Sequence, residues 1–267
     1  MVDLAELSVA DLMERALRSS FAGDDEVGNQ ESNEAWEAIA TLHKRADTET
    51  LEAGRHLLRS DDAWHRARGA DILGQLGWSA AKSFSDERFD ALVTALLAET
   101  DARALPPLIH AISHLHEPKS LPYLLPFIKN DSAAVRQAVA MALHASWGQP
   151  AISALIDLMS DQSNLVRDWA TFAFRTSKVD SPQIRTALVQ RLSDDDLTTR
   201  AEAICALAQC GDLRCVEQLR RDLGQDQTWD DCHIEAARVL LARPDEDESS
   251  AQELLDGLNS IFPQETR

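Results

Sequence analysis

Asp161-Gln-Ser-Asn-Leu-Val-Arg-Asp-Trp-Ala-Thr-Phe-Ala-Phe174 decides the fold, because the rest of the chain repeats it. With Arg167 as position zero, the same frame recurs at Ser60…Arg66, Asn130…Arg136 and Asp194…Arg200. Two worn copies, Glu99…Leu105 and Asp226…His233, fill the remaining intervals, and a partial copy lies around Ala35–His43. Positions +3, +4, +6 and +7 are small or apolar, as in Val139/Ala140/Ala142/Leu143 and Ala203/Ile204/Ala206/Leu207. That spacing is one face of a helix, and small residues on it admit a close neighbour. An apolar stretch precedes each copy: Ala91–Leu97, Leu121–Ile128, Ala151–Met159, Ile184–Leu192 and Val216–Leu223. The unit is therefore helix, turn, helix. One unit cannot bury its apolar face alone, whereas a stack of units can.

The opening residue of each frame (Asp161, Asp194, Asn130, Ser60) is of the type that caps a helix N-terminus. The recurrent Arg66, Arg136, Arg167 and Arg200 come too regularly for a ligand site. We expect them to bond loop carboxylates and carbonyls, including Asp161 and Asp194, as a structural ladder along the stack.

The Asp-x4-Val-Arg-x2-Ala-x2-Ala-Leu pattern resembles HEAT repeats of the bacterial type also found in phycobilisome lyases. The succession Val166–Ala173, Asp180–Arg185 and Thr199–Ala203 is similar to small stand-alone HEAT proteins associated with Rhs-type toxins and regarded as immunity proteins. Such relatives often carry Gly where Arg175 stands here. The resemblance implies an all-α, right-handed solenoid of about six hairpins, with the second helices lining its concave surface. It also implies a protein-binding role of the toxin-immunity type. A tetrapyrrole (bilin) lyase-like or chaperone-like protein, and a nucleic-acid glycosylase of the HEAT-like kind, are the alternatives.

Composition narrows these. Only 5% of the 267 residues are aromatic, and no strand-length alternation of β-branched residues occurs. The net charge is −19, with no basic stripe to meet phosphates, so nucleic acid is an unexpected partner. The same charge would draw in a basic protein. From Ser193 onward 18 residues are acidic and 7 basic, which concentrates the negative field there. Residues 1–20 carry four acidic residues and lack a signal-peptide core, and no apolar run is long enough to span a membrane. The expected location is cytoplasmic, with no membrane partner.

Taken in order, residues 1–267 read as a single solenoid domain. Residues 1–47 form an imperfect repeat, with a helix from Ser8 to about Arg18 and a loop at about 21–33. Residues 48–243 hold the regular repeats, and 244–267 an acidic break followed by a capping helix. Pro106 and Pro107 fit the first turn of a helix, where no backbone donor is needed.

No catalytic constellation emerges. There is no Gly-x-Ser-x-Gly elbow and no Gly-rich phosphate loop. His110 and His114 share a helix face, with His116 following, but Ala111 stands where a metalloprotease would place Glu. Cys205, Cys210, Cys215 and Cys232 contain no Cys-x2-Cys pair and read as reduced thiols. We therefore expect no enzyme, metal or cofactor. The binding face is expected at +2, +5 and +9 of each second helix: Arg68/Asp71/Gln75, Pro107/His110/His114, Ala138/Met141/Ala145, Trp169/Phe172/Thr176, Glu202/Cys205/Gln209 and Glu235/Arg238/Ala242. Trp169, Phe172 and Met141 are large and apolar there, as at a partner-binding patch.

Overall fold

The computed structural model describes residues 3–18, 30–78, 84–115, 118–144, 148–177, 179–225, 230–242 and 250–263. The expected loop up to residue 29, His116, the start of the frame at Asp226 and the acidic break at 244–249 lie outside them. Among the described residues every regular element is helical. They gather into two compact units, Met1–Ser146 and Trp147–Arg267.

The first unit holds α1 (Val9–Ala16), α2 (Gln30–Arg45), α3 (Thr48–Leu57), α4 (Ala63–Gln75), α5 (Ser85–Ala98), α6 (Leu105–His114), α7 (Leu121–Leu124) and α8 (Ala133–Leu143). They pair as α1/α2, α3/α4, α5/α6 and α7/α8. The second helices form one layer, α2 against α4, α4 against α6 and α6 against α8. The first helices pack on that layer. Ser8 caps α1 in a reciprocal capping box with Asp11, as its sequence suggests. Residues 30–33, expected to be loop, belong to α2. The expected helix Leu121–Ile128 is shorter. Pro126 removes a donor, and the chain tightens into a 3-10 turn over Leu125–Lys129.

The second unit holds α9 (Gln149–Leu158), α10 (Asn164–Thr176), α11 (Pro182–Arg191), α12 (Leu197–Gln209), α13 (Val216–Leu223), α14 (Asp231–Leu240) and α15 (Ala251–Ile261). Here α10, α12 and α14 form the second-helix layer, and α15 closes against α13 and α14. The described residues thus contain seven hairpins, the first irregular, plus α15. Gly211, at φ 67°, ends α12 in a Schellman turn: its N–H bonds the Ala208 carbonyl and the Asp212 N–H bonds that of Leu207.

Small residues let the layers approach. A Cβ added to Gly74 of α4 would lie 2.8 Å from Ala111 Cα of α6, closer than side chains tolerate. The α4 and α6 backbones meet there because neither carries bulk. Along α12, Ala201, Ala203, Ile204, Ala206 and Leu207 are all buried, since the helix is flanked on two sides and beneath.

The loops between first and second helices follow one scheme, and it corrects the expected capping. The frame's opening residue is not the N-cap but stands two residues before it. Asp161 Oδ1 accepts from the Ser163 N–H at 2.8 Å, and Asp194 Oδ1 from Asp196 at 3.0 Å. Asn130 does the same to Ser132 and Ser60 to Asp62; Glu99 also accepts from the Asp101 N–H, but there the N-cap is Ala104, three residues further on. Ser163, Asp196, Ser132 and Asp62 are the N-caps. The short side chain closes a turn over its own loop and presents the capping residue.

The frame's arginines lock that turn. Arg66 donates to the Ser60 and Asp61 carbonyls, Arg136 to Asn130 and Asp131, Arg167 to Asp161 and Gln162, and Arg200 to Asp194. They also reach the following repeat. Arg66 holds Glu99 through two bonds of 2.7 Å, Arg167 holds Asp194 at 2.9 and 2.7 Å, and Arg200 holds Asp222 at 3.1 Å. At the arginine position of the worn copy stands His233, buried between Asp222 (3.3 Å) and Asp230 (2.9 Å). Burial opposes its cation, but the bonds to the two carboxylates outweigh that and raise its pKa.

Candidate functional site

The outward side of the second-helix layer is where the sequence places a binding face. Exposure along it grows from the N-terminal to the C-terminal end of the helices from α4 to α12, whereas α14 already exposes Glu235 at +2. At +2, Arg68 is 0% exposed, Ala138 1% and Glu202 6%, so Arg68 and Glu202 are corrected from contact residues to seam residues. In α4, α8 and α12 the +2 side chain is covered by the neighbouring helices, whereas Trp169 at +2 of α10 is half-buried and Glu235 at +2 of α14 exposed. Arg68 is held between the rings of Trp36 (4.8 Å) and Trp64 (4.1 Å) and bonds Asp71 at 3.0 Å. At +5, Asp71, His110, Met141, Phe172 and Arg238 are half-buried and Cys205 is fully buried. At +9, His114, Thr176 and Gln209 are exposed.

In the first unit this face carries Trp36, Asp71, Gln75, His110, His114 and Met141. Gln75 meets His114 at 3.1 Å. Burial lowers the pKa of His110, and neighbouring His114 lowers it further. Among the described residues no group of three metal-ligating side chains occurs. Trp36, 45% exposed, was not among the expected contacts. Its sole advance signal is a large aromatic within the partial first copy.

In the second unit the face is aromatic and acidic. Trp169 and Phe172, both half-buried, meet edge to face with ring centroids 5.4 Å apart. Arg175, one turn on, lies 5.0 Å over the Phe172 ring. Its guanidinium bonds Glu202 of α12 and approaches Glu235 of α14 at 3.7 Å. Gln209 donates to Glu235 at 2.8 Å, and the Cys232 thiol faces Glu202 at 3.8 Å. Asp168 stands beside this set. Burial and the Asp196 carboxylate push its pKa up to about 6, with Arg175 pulling the other way. Burial likewise raises Glu202 against the pull of Arg175. Asp168, Glu202 and Glu235, from three successive second helices, thus all lie near Arg175. Sequence reasoning placed Trp169 and Phe172 here but missed Asp168 and Arg175. These stand at +1 and +8, outside the expected triplets, and only the departure from Gly at Arg175 hinted at them.

Burial pushes the thiol pKa values of Cys215 and Cys232 up to about 12 and Cys205 higher still.

Layers of paired helices, with the loops of four hairpins locked by Arg66, Arg136, Arg167 and Arg200, define an all-α protein of HEAT-like hairpins. Residues 89–175 match the sequence family of HEAT repeats. The chain is similar to Protein YibA of Escherichia coli K12, 31% identical over 178 residues, which are 64% of this chain and 62% of YibA. The aligned region is thus less than two thirds of that relative's length. The crystal structure of YibA superposes with a TM-score of 0.69 at 23% identity, covering 95% of this chain and 97% of YibA. The crystal structure of an engineered protein gives a TM-score of 0.52 at 19% identity, covering 94% of this chain and 71% of the other. Structural likeness at such identities speaks to the fold.

Proposed function

We propose that this chain is a non-catalytic protein-binding scaffold that holds a basic segment of a partner protein on the outward face of α10, α12 and α14. The observation that carries this reading is the Trp169–Phe172 pair set beside Asp168, Glu202 and Glu235 with one arginine among them. Aromatic rings supply buried area on binding, and the surplus carboxylates favour cationic side chains. The net charge of −19 steers such a partner from a distance. Within this reading the resemblance to Rhs-associated immunity proteins makes a toxin domain the partner class, met in the cytoplasm. No reaction is proposed. The raised thiol pKa values support that choice.

The experiment is capture of partners from source-cell lysate at low and high salt, with wild type beside Glu235→Arg. Glu235 is exposed, and the variant is used once its helicity and melting match wild type. A basic protein captured at low salt, released at high salt and lost with Glu235→Arg is the expected result. Salt-independent capture, or equal capture by the variant, would count against an acidic binding face.

A further inference from the structure

A second feature lies on the opposite, first-helix side of the first unit. Between α3 and α5 runs a cleft of ≈ 660 Å³. That is the size of sites that enclose small molecules. Its walls differ in chemistry. The α3 wall carries Arg55, and the turn and loop that follow α3 add Arg59 and the exposed Asp61. The α5 wall carries Asp90, Ala91, Thr94, Ala95 and Ala98, a helical stripe of small side chains with a carboxylate at one end. Arg66 and Glu99 form the floor and are committed to each other.

The remaining charges are not committed. Arg59 and Asp90 have no side-chain hydrogen bond or ion pair among the described residues. Arg55 donates once, at 3.0 Å, to the exposed Glu52, and its other guanidinium donors have no partner. Arg55 and Arg59, with Asp61 next in the loop, therefore line one side of the cleft and Asp90 the other, while Arg66 and Glu99 neutralise each other. The space between is lined by methyl groups, since Ala91, Ala95 and Ala98 leave open what larger side chains would fill.

We propose that the α3–α5 cleft binds a small zwitterion. Its anionic end sits on Arg55 and Arg59, its cationic end on Asp90, and its short apolar body lies along Ala91 and Ala95. A simple anion would leave Asp90 facing it, and a simple cation would face two arginines. Only a ligand with both charges satisfies both walls. A guanidinium pair suits a carboxylate in particular, because its donors can meet both oxygens. This site is independent of the aromatic face of the second unit.

The test is calorimetric titration of the whole chain with ω-amino carboxylic acids of graded length, beside the alkanoate and the alkylamine of matching length. Three variants accompany wild type, each checked for unchanged helicity and melting. Arg59→Gln and Asp90→Asn remove one charge from each wall, both at exposed positions. Ala95→Leu fills the cleft and leaves its charges. We expect saturable binding of one chain length, at least about tenfold tighter than either singly charged analogue. Arg59→Gln and Asp90→Asn should each bring the zwitterion down to the level of those analogues, and Ala95→Leu should abolish binding. Equal binding of alkanoate or alkylamine would overturn the assignment. So would unchanged affinity in the charge variants, or no saturable binding of any length in the millimolar range.

Discussion

Arg167 illustrates what a single residue does for this fold. It closes its own loop through the Asp161 carbonyl and reaches Asp194, whose side chain is only 2% exposed. Removing one member of such a pair leaves a buried charge short of a partner. Arg167→Ala should therefore cost about 2–4 kcal/mol of unfolding free energy in a denaturant titration, without selective loss of partner binding. Equal unfolding midpoints would refute the ladder. Asp168 behaves oppositely. Its folded pKa, near 6, lies above the ordinary carboxylate value, so ionising it at neutral pH works against folding. Asp168→Asn should raise stability at pH 7 by about 1 kcal/mol, a figure reduced for partial exposure, and should weaken partner binding. Its stabilising effect should vanish once pH falls below the ordinary carboxylate range. His233 has the reverse sign. Its pKa is raised in the fold, so its contribution is complete below the ordinary histidine value and is lost as pH rises through the folded value. The melting-temperature gap between wild type and His233→Gln should narrow steadily as pH is raised from 6 to 9.

At the scale of elements, close approach between second helices decides the packing. At Gly74 an added Cβ would press on the Ala111 backbone. Gly74→Ala gains up to about 1 kcal/mol in helix propensity but overpacks a contact that cannot yield, at about 1–3 kcal/mol. The expected net result is a lower melting temperature, and an unchanged or higher one would show that α4 and α6 can separate freely. The hairpins were legible in advance because their signal is periodic: small residues at +3, +4, +6 and +7 sit where helices touch. The caps were misread because a side chain of capping type can also close a turn two residues earlier, and sequence does not separate the two uses of Asp161. The helix ending at Leu124 was overextended because the weight of Pro126 was missed. The proposed binding face was half legible. Spacing places +2, +5 and +9 on one side of a helix, but it does not say which of them a neighbouring helix covers. That is why Arg68 and Glu202 were counted as contacts although they are buried, while Asp168 at +1 and Arg175 at +8, outside the chosen positions, were passed over.

At the scale of the whole molecule, charge is the dominant property. An excess of 19 negative charges over 267 residues makes encounter with a basic partner fast at low salt and slower as salt screens it. No described helix is long and apolar enough to cross a membrane. The central claim is that the aromatic and acidic face of α10, α12 and α14 is the partner site. The measurement that tests it most directly compares partner capture from source-cell lysate by wild type and by a Trp169→Ala/Phe172→Ala variant whose circular dichroism is unchanged. The account predicts a basic partner retained by wild type and lost by the variant, with affinity for that partner falling by about 2 kcal/mol or more, roughly thirtyfold. Equal capture by both proteins, or collapse of the variant's helical signal, would contradict it: the first would move the site elsewhere, and the second would make Trp169 and Phe172 part of the core.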